Sequence, residues 1–458
     1  MKKFFSVFFS ALIIALTFSC VQANAANYNS YFEDGFYSEC VYLVCTDNDE
    51  VIFAKDINKQ TKPASLTKIV TATIVLDETE DLEQTVTIEQ SCIDELYGTG
   101  SSLGGLIAGE TYTVYNLLCC LLIESANDAA TNLAHFITGD DRQAFIDKMN
   151  AKAEELGCEN TNFVNVHGLD DDDQYTTVSD MAKFLANAMK HREFSEITSM
   201  SSYTLPETDK QPEKTIRTTN FTLVSAYKDY YCRYINGGKT GFTSGAGNCL
   251  AVSASNNGYN YIAVAMKAQK EDYDSDGYDE NGAFLDCRAM LDWAFTNLRL
   301  VSIADAAKIV AEVPVKLGKG ADHVTLCPSD SEFSLMPAGI DSGSLLVRAV
   351  EGTVPEYVFA PVKKGEVICK GEVLYADEVI AQIDLVASTA VKRSFISYSA
   401  SKIAELFAKP AVKLLAVIVV AVFIVLVVLR RRGIIKTKHK KYDVLNYNDF
   451  FDSGKNNK

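Results

Sequence analysis

Residues 63–76 read Pro63-Ala64-Ser65-Leu66-Thr67-Lys68-Ile69-Val70-Thr71-Ala72-Thr73-Ile74-Val75-Leu76. Pro63 suits the approach to a helix, and Leu66, Ile69, Val70 and Ile74 recur at helical spacing, so a helix is predicted from about Ser65 to Leu76. Residues three apart share a helix face, which puts the Lys68 amine within reach of the Ser65 hydroxyl. A helix N-terminus also favours negative charge developing beside Ser65. Lys68 must be neutral to accept a proton, so burial and a second nearby cation must lower its reference pKa of ~10.4. The pattern is weak by itself, because Ser225-x-x-Lys228 and Ser399-x-x-Lys402 repeat it.

Around this stretch the texture is that of an α+β domain. Residues 40–55 read as a hairpin turning at Asp47-Asn48-Asp49. A second helix begins near Thr113 and runs through Leu117, Leu118, Leu121 and Leu122; further helical patterns cover 128–137, 141–156 and 179–190, the last opened by a Thr177-x-x-Asp180 capping box. Strands at 250–253 and 261–264 flank Asn257-Gly258, a strong hairpin turn, and a helix follows over 284–297. Helices enclosed by a sheet drawn from both ends of the segment place this domain at 26–300. From 312 to 387 short strands separated by Gly and Pro predict a small all-β module, assigned 310–390.

The chain has 458 residues, 48% apolar and 22% charged, which are globular values. Its net charge of -17 excludes nucleic-acid binding through a broad basic face. Both ends are basic, so the part between them is more acidic still. Lys2-Lys3, an apolar run to Phe18 and Ala23-Asn24-Ala25 read as a signal peptide over 1–25. The approach to Cys20 is a poor one for lipidation. Residues 392–410 predict a juxtamembrane amphipathic linker, and 411–430 a transmembrane helix. Arg430-Arg431-Arg432 and the basic tail 431–458 should stay in the cytoplasm, which puts the catalytic part outside. Twelve cysteines, eleven without Cys20, cannot all pair; without any C-x-x-C they read as mostly free buried thiols, as would fit an organism living without oxygen.

Histidine is scarce: there are five, with no H-E-x-x-H and no G-x-S-x-G elbow, so an acyl-transfer site needs another base. Ser125-Ala126-Asn127 follows the second helix and can supply a hydroxyl relay and an amide for a substrate carbonyl, or simply cap the next helix. Lys239-Thr240-Gly241 enters a predicted strand, where a cation and a hydroxyl can grip a carboxylate and glycine admits a substrate backbone. Asp272-x-Asp274-x-Asp276-Gly277 begins like a calcium loop, but its twelfth position is Ala283 rather than a bidentate Glu, so 272–280 reads as a solvated acidic loop. No metal site is expected.

The ordered set Ser-x-x-Lys, Ser-x-Asn, Lys-Thr-Gly resembles the penicillin-recognising serine acyl-enzymes. With Gly109-Glu110-Thr111-Tyr112, Ser125-Ala126-Asn127-Asp128, His167-Gly168-Leu169 and Lys239-Thr240-Gly241-Phe242-Thr243, residues 38–300 are similar to the low-molecular-mass D-alanyl-D-alanine carboxypeptidases, and 312–387 to their C-terminal domain. Ala126 departs from the glycine that the family often has.

The resemblance implies a β-lactamase/transpeptidase-like fold and catalysis by Ser65, Lys68 and Ser125. It also implies substrate binding by Asn127, Lys239, Thr240, Gly241 and Phe242, without a cofactor. The expected substrate is the D-Ala-D-Ala end of a peptidoglycan stem peptide, with β-lactams as inhibitors. A β-lactamase on the same scaffold and a non-catalytic wall-binding protein are the alternatives; no E-x-x-L-N stretch of the former lies between Ser125 and Lys239. His167 is read as structural.

Overall fold

The computed structural model describes residues 35–273 and 279–432. The candidate signal peptide, most of the calcium-like loop and the tail beyond 432 lie outside the described residues.

The chain forms two compact units. In the first, β1 (Ser38–Cys45) and β2 (Val51–Lys55) make the expected hairpin. A 3₁₀ turn at Ala64–Leu66 leads into α1 (Thr67–Glu78); α2 (Val114–Cys119), α3 (Asn127–Thr138), α4 (Arg142–Glu155) and α5 (Val178–Ala188) follow. The Thr113 and Thr177 hydroxyls cap α2 and α5, each accepting a backbone N–H from three residues on. The chain returns as β3 (Ile235–Thr243), β4 (Gly247–Asn256) and β5 (Tyr259–Ala268), then α6 (Gly282–Asn297) and β6 (Leu298–Ala304). The sheet order β2-β1-β5-β4-β3 is antiparallel throughout and inserts β1 beside the late strand β5.

This central sheet is apolar on both faces, and its period of two sorts side chains into two cores. Leu250, Val252, Ala263 and Ala265 point to one face, packed with Phe284, Cys287, Met290 and Leu291 of α6. Ala251, Ile262, Val264 and Met266 point to the other, into the core shared with the helices. α1 is the centre of that core: Thr67 through Val75 are buried without a break. Its β-branched content disfavours an isolated helix, so packing on every side maintains it. The three buried threonine hydroxyls within α1 are satisfied, Thr67 to Ala64 O (2.9 Å), Thr71 to Val166 O (2.7 Å) and Thr73 to Ile69 O (2.8 Å).

One pairing carries no signal in the sequence. β6 pairs antiparallel with Glu332–Pro337, from Leu298↔Pro337 to Ala304↔Glu332. The Glu50 carboxylate accepts the Leu335 N–H at 2.8 Å and so ties this strand to the β1–β2 turn. Residues 332–337 therefore belong to the first unit, inside a span assigned to the small β module.

In the second unit, Ala311–Lys316 and His323–Pro328 pair antiparallel, Val358–Phe359 joins the former in parallel, and Leu385–Ala387 joins the latter. Two helices end its described part, Phe395–Ala408 and Pro410–Arg431. The second is 22 residues long, apolar and exposed, long enough to cross a bilayer. Among the described residues all eleven cysteines are free and buried.

Candidate active site

The first element of the site is the turn that carries Ser65. The sequence suggested that Ser65 opens an α-helix; instead it lies in the 3₁₀ turn, and the α-helix starts at Thr67. Ala64 holds this turn with φ at +46°, a conformation costly for a side chain and stored next to the candidate nucleophile. The tighter turn still brings Lys68 to Ser65: Lys68 Nζ lies 2.7 Å from Ser65 Oγ.

Lys68 is fully buried. Burial first, and the Lys239 ammonium second, hold its amine well below the usual lysine range, with the Asp128 carboxylate opposing them. Both causes expected from the sequence act here, with burial the larger. Lys239 is also buried, and burial brings it down to about 7.

A second contact on Lys68 was not foreseen. Its Nζ donates to the backbone oxygen of His167 at 2.8 Å. The carbonyl belongs to a rigid turn in which Asn165 Oδ1 accepts from Gly168 N (2.7 Å) and His167 N (3.3 Å), while Asn165 Nδ2 donates to Leu169 O (2.9 Å). Gly168 has φ at +95°, and a Cβ there would sit 1.8 Å from Ala64 O. Only glycine lets this turn lie against the Ser65 turn. The His167 ring accepts from Leu169 N at 3.2 Å, and burial, followed by the Lys68 charge, brings it down to about 3. With Nδ1 already accepting from Leu169 N and its pKa lowered, the ring is a weak base.

Ser125 arrives by a π-helical widening. After α2 the chain makes a π turn over Cys120–Glu124, closed by Ala126 N to Cys120 O at 3.0 Å, and Ser125 takes φ at +66°. The positive φ falls on Ser125 and not on Ala126, whose φ is -67°, so alanine at 126 is unstrained. Asn127 opens α3 and its N–H donates to Ser102 O at 2.8 Å. Asp128 accepts from Gly104 N (2.7 Å) and Leu106 N (3.2 Å), fixing the loop over that helix end. Glu110 is fully buried and accepts from Ile107 N and Gln211 Nε2, at 2.8 and 2.9 Å.

β3 forms the other wall. Lys239 stands opposite Ala251, which turns its side chain to the α1 side of the sheet. A Cβ on Gly241 would lie 3.1 Å from both Ala64 Cβ and Ser65 N, so the strand passes directly over the Ser65 turn. Asp170 clamps the strand end, accepting from Thr243 Oγ1 (2.6 Å) and Gly245 N (3.0 Å). Thr240 Oγ1 meets Thr219 Oγ1 at 2.6 Å, and Thr219 N donates to Ile123 O, tying β3 to the segment that leads into Ser125. The Phe242 side chain is exposed.

Ser65, Lys68, Lys239 and the Gly241 backbone are thus brought together, and Thr240 and the Ser125 segment are linked through Thr219. The His167 carbonyl, Gly168, Asp128 and Asp170 were not assigned to the site. His167-Gly168-Leu169 and Asp128 were visible as parts of recognisable strings; Asp170 and Thr219 carried no signal.

A family model described as D-alanyl-D-alanine carboxypeptidase matches residues 33–270. The D-alanyl-D-alanine carboxypeptidase DacF of Bacillus subtilis is 29% identical over 360 residues, covering 78% of this chain and 86% of that protein. DacD of Salmonella typhimurium is 29% identical over 351 residues, covering 75% and 83%. The crystal structure of penicillin binding protein 5 from Haemophilus influenzae matches with a TM-score of 0.62 and 25% identity, over 78% of this chain and 98% of that one.

Proposed function

The chain belongs to the D-alanyl-D-alanine carboxypeptidase family and is a serine-type peptidase acting on a peptidoglycan peptide, and from that premise we propose which residues perform the reaction and where the enzyme works. Ser65 Oγ attacks the carbonyl carbon between the two terminal D-alanines of a stem pentapeptide while Lys68 takes its proton. The oxyanion is held by the backbone N–H groups of Ser65 and Phe242. As the C–N bond breaks, Ser125 gives its proton to the leaving D-alanine nitrogen and is reprotonated by the proton that Lys68 took, so both groups return to their starting state. Water then cleaves the Ser65 ester and releases the tetrapeptide.

Asn127 holds the substrate amide, Lys239 supports Ser125 and disfavours a charge on Lys68, and Thr240 binds the terminal carboxylate. The substrate lies along β3 as an added strand, with Gly241 leaving room for its backbone. β-Lactams acylate the same serine.

The observation that carries this reading is the 2.7 Å contact from a fully buried lysine amine to Ser65 Oγ. Burial favours the neutral form that a general base requires. Release of D-alanine from a stem pentapeptide, with tetrapeptide as the other product, tests it; a protein that labels with penicillin yet releases no D-alanine argues against the peptidase assignment.

The placement in the cell follows from the ends of the chain. Residues 1–25 direct export, the helix Pro410–Arg431 anchors the enzyme as a single span, and the triple arginine at 430–432 stays in the cytoplasm. The catalytic unit then faces the wall outside.

A further inference from the structure

Thr219 lies outside every motif, between the strand Lys214–Arg217 and the turn Phe221–Leu223. Its hydroxyl oxygen is 2.6 Å from that of Thr240. The segment is held from both sides: Thr219 N donates to Ile123 O at 3.2 Å, and buried Asn220 accepts from Thr222 N at 3.2 Å and Thr222 Oγ1 at 2.5 Å. Thr219 is therefore kept against Thr240 by its own backbone.

Two hydroxyls bring two protons. One is used in the bond between them, and the other points out of the pair. A carboxylate is an acceptor only, so it needs that outward proton on the oxygen it meets. If Thr240 donated to Thr219, it would show the carboxylate nothing but lone pairs. We infer that Thr219 is a positioning residue for the terminal carboxylate: it donates to Thr240 Oγ1 and leaves the Thr240 proton free for a peptide ending in free D-alanine. The inference rests on the reading of Thr240 as the group that meets this carboxylate. The hydroxyl chain also polarises the outer O–H, which strengthens its bond to an anion.

The test uses the full-length protein and two peptides that differ only at the end, one with a free terminal carboxylate and one with a carboxamide. Release of D-alanine or D-alaninamide is measured for the unaltered protein, Thr219→Val and Thr219→Ser. Valine keeps the shape and removes the hydroxyl, so kcat/KM on the acid should fall roughly five- to tenfold, mostly through KM. The loss on the carboxamide should stay under about twofold, since an amide N–H can donate to the Thr240 oxygen in place of the missing group. Thr219→Ser should restore the preference for the acid. Thr219→Ala, which adds no bulk, carries the same expectation as valine.

Equal losses on both peptides, or an unchanged acid-to-amide preference, would overturn the inference while leaving the peptidase reading standing. Release from neither peptide by the unaltered protein would overturn that reading and this inference with it.

Discussion

Gly168→Ala perturbs the site without touching any group that reacts. The added Cβ would lie 1.8 Å from Ala64 O and 2.4 Å from Ala64 C. A carbon and a carbonyl oxygen seldom approach inside about 3.3 Å, so the two turns must part by about 1.5 Å. The backbone φ of +95° resists an alanine independently, at a cost of about 1–3 kcal/mol. Parting the turns draws the His167 carbonyl away from Lys68, or displaces Ser65 from its amine, because the 2.8 Å and 2.7 Å contacts on Lys68 join the two. A misplacement of about 1 Å at reacting groups can cost ~10²-fold in rate. The expected result is a folded protein of lowered thermal midpoint whose second-order acylation by a fluorescent penicillin falls about a hundredfold. Circular dichroism and thermal melting establish the fold, and stopped-flow fluorescence gives the rate. An alanine variant that acylates at the full rate with an unchanged melt would refute the idea that this turn sets the Ser65–Lys68 geometry.

Lys239→Ala should move the rising limb of the acylation rate to higher pH as well as slow it, measured from pH 6 to 11. Losing the ammonium lets the Lys68 pKa climb, yet the climb should stop short of an ordinary lysine because burial, the larger cause, remains. Lys239→Arg should leave the limb roughly in place while impairing substrate binding, since charge survives and geometry does not. For topology, protein ending at Lys392 should be released from the membrane with its D-alanine release intact, because Ser65 through Phe242 precede that point. Protease added outside intact cells should reach the main unit and spare the tail after Arg430; digestion of the tail with protection of the main unit would invert the orientation.

Much of this fold is legible because its signals are local. The apolar run of α1, the threonine caps of α2 and α5 and the Asn257-Gly258 turn depend on neighbours in sequence, and the helices and strands form where those signals stand. The pairing of β6 with Glu332–Pro337 was not legible, because its two strands are separated by a segment of the second unit and neither has a turn that names its partner.

The site divides in the same way. Serine and lysine types at the right spacing are visible in a string. Ser65 sits on a 3₁₀ turn against which Gly168 and Gly241 pack from elsewhere in the chain, and a local string does not contain those contacts. The π turn that places Ser125 at positive φ leaves no mark in Cys120-Leu121-Leu122-Ile123-Glu124, whose residues would serve an α-helix equally well. The relative weights of burial and Lys239 on Lys68 depend on how deeply the amine is enclosed, and a spacing does not contain that quantity.

The central claim is that an acyl group is carried on Ser65 with Lys68 as its base. Mass mapping of the protein after brief exposure to benzylpenicillin tests it most directly. One penicilloyl adduct should appear, on the proteolytic fragment containing Ser65, and Ser65→Ala should carry none while melting like the unaltered protein. An adduct on Ser125 or any other residue, or undiminished labelling of Ser65→Ala, would contradict the account.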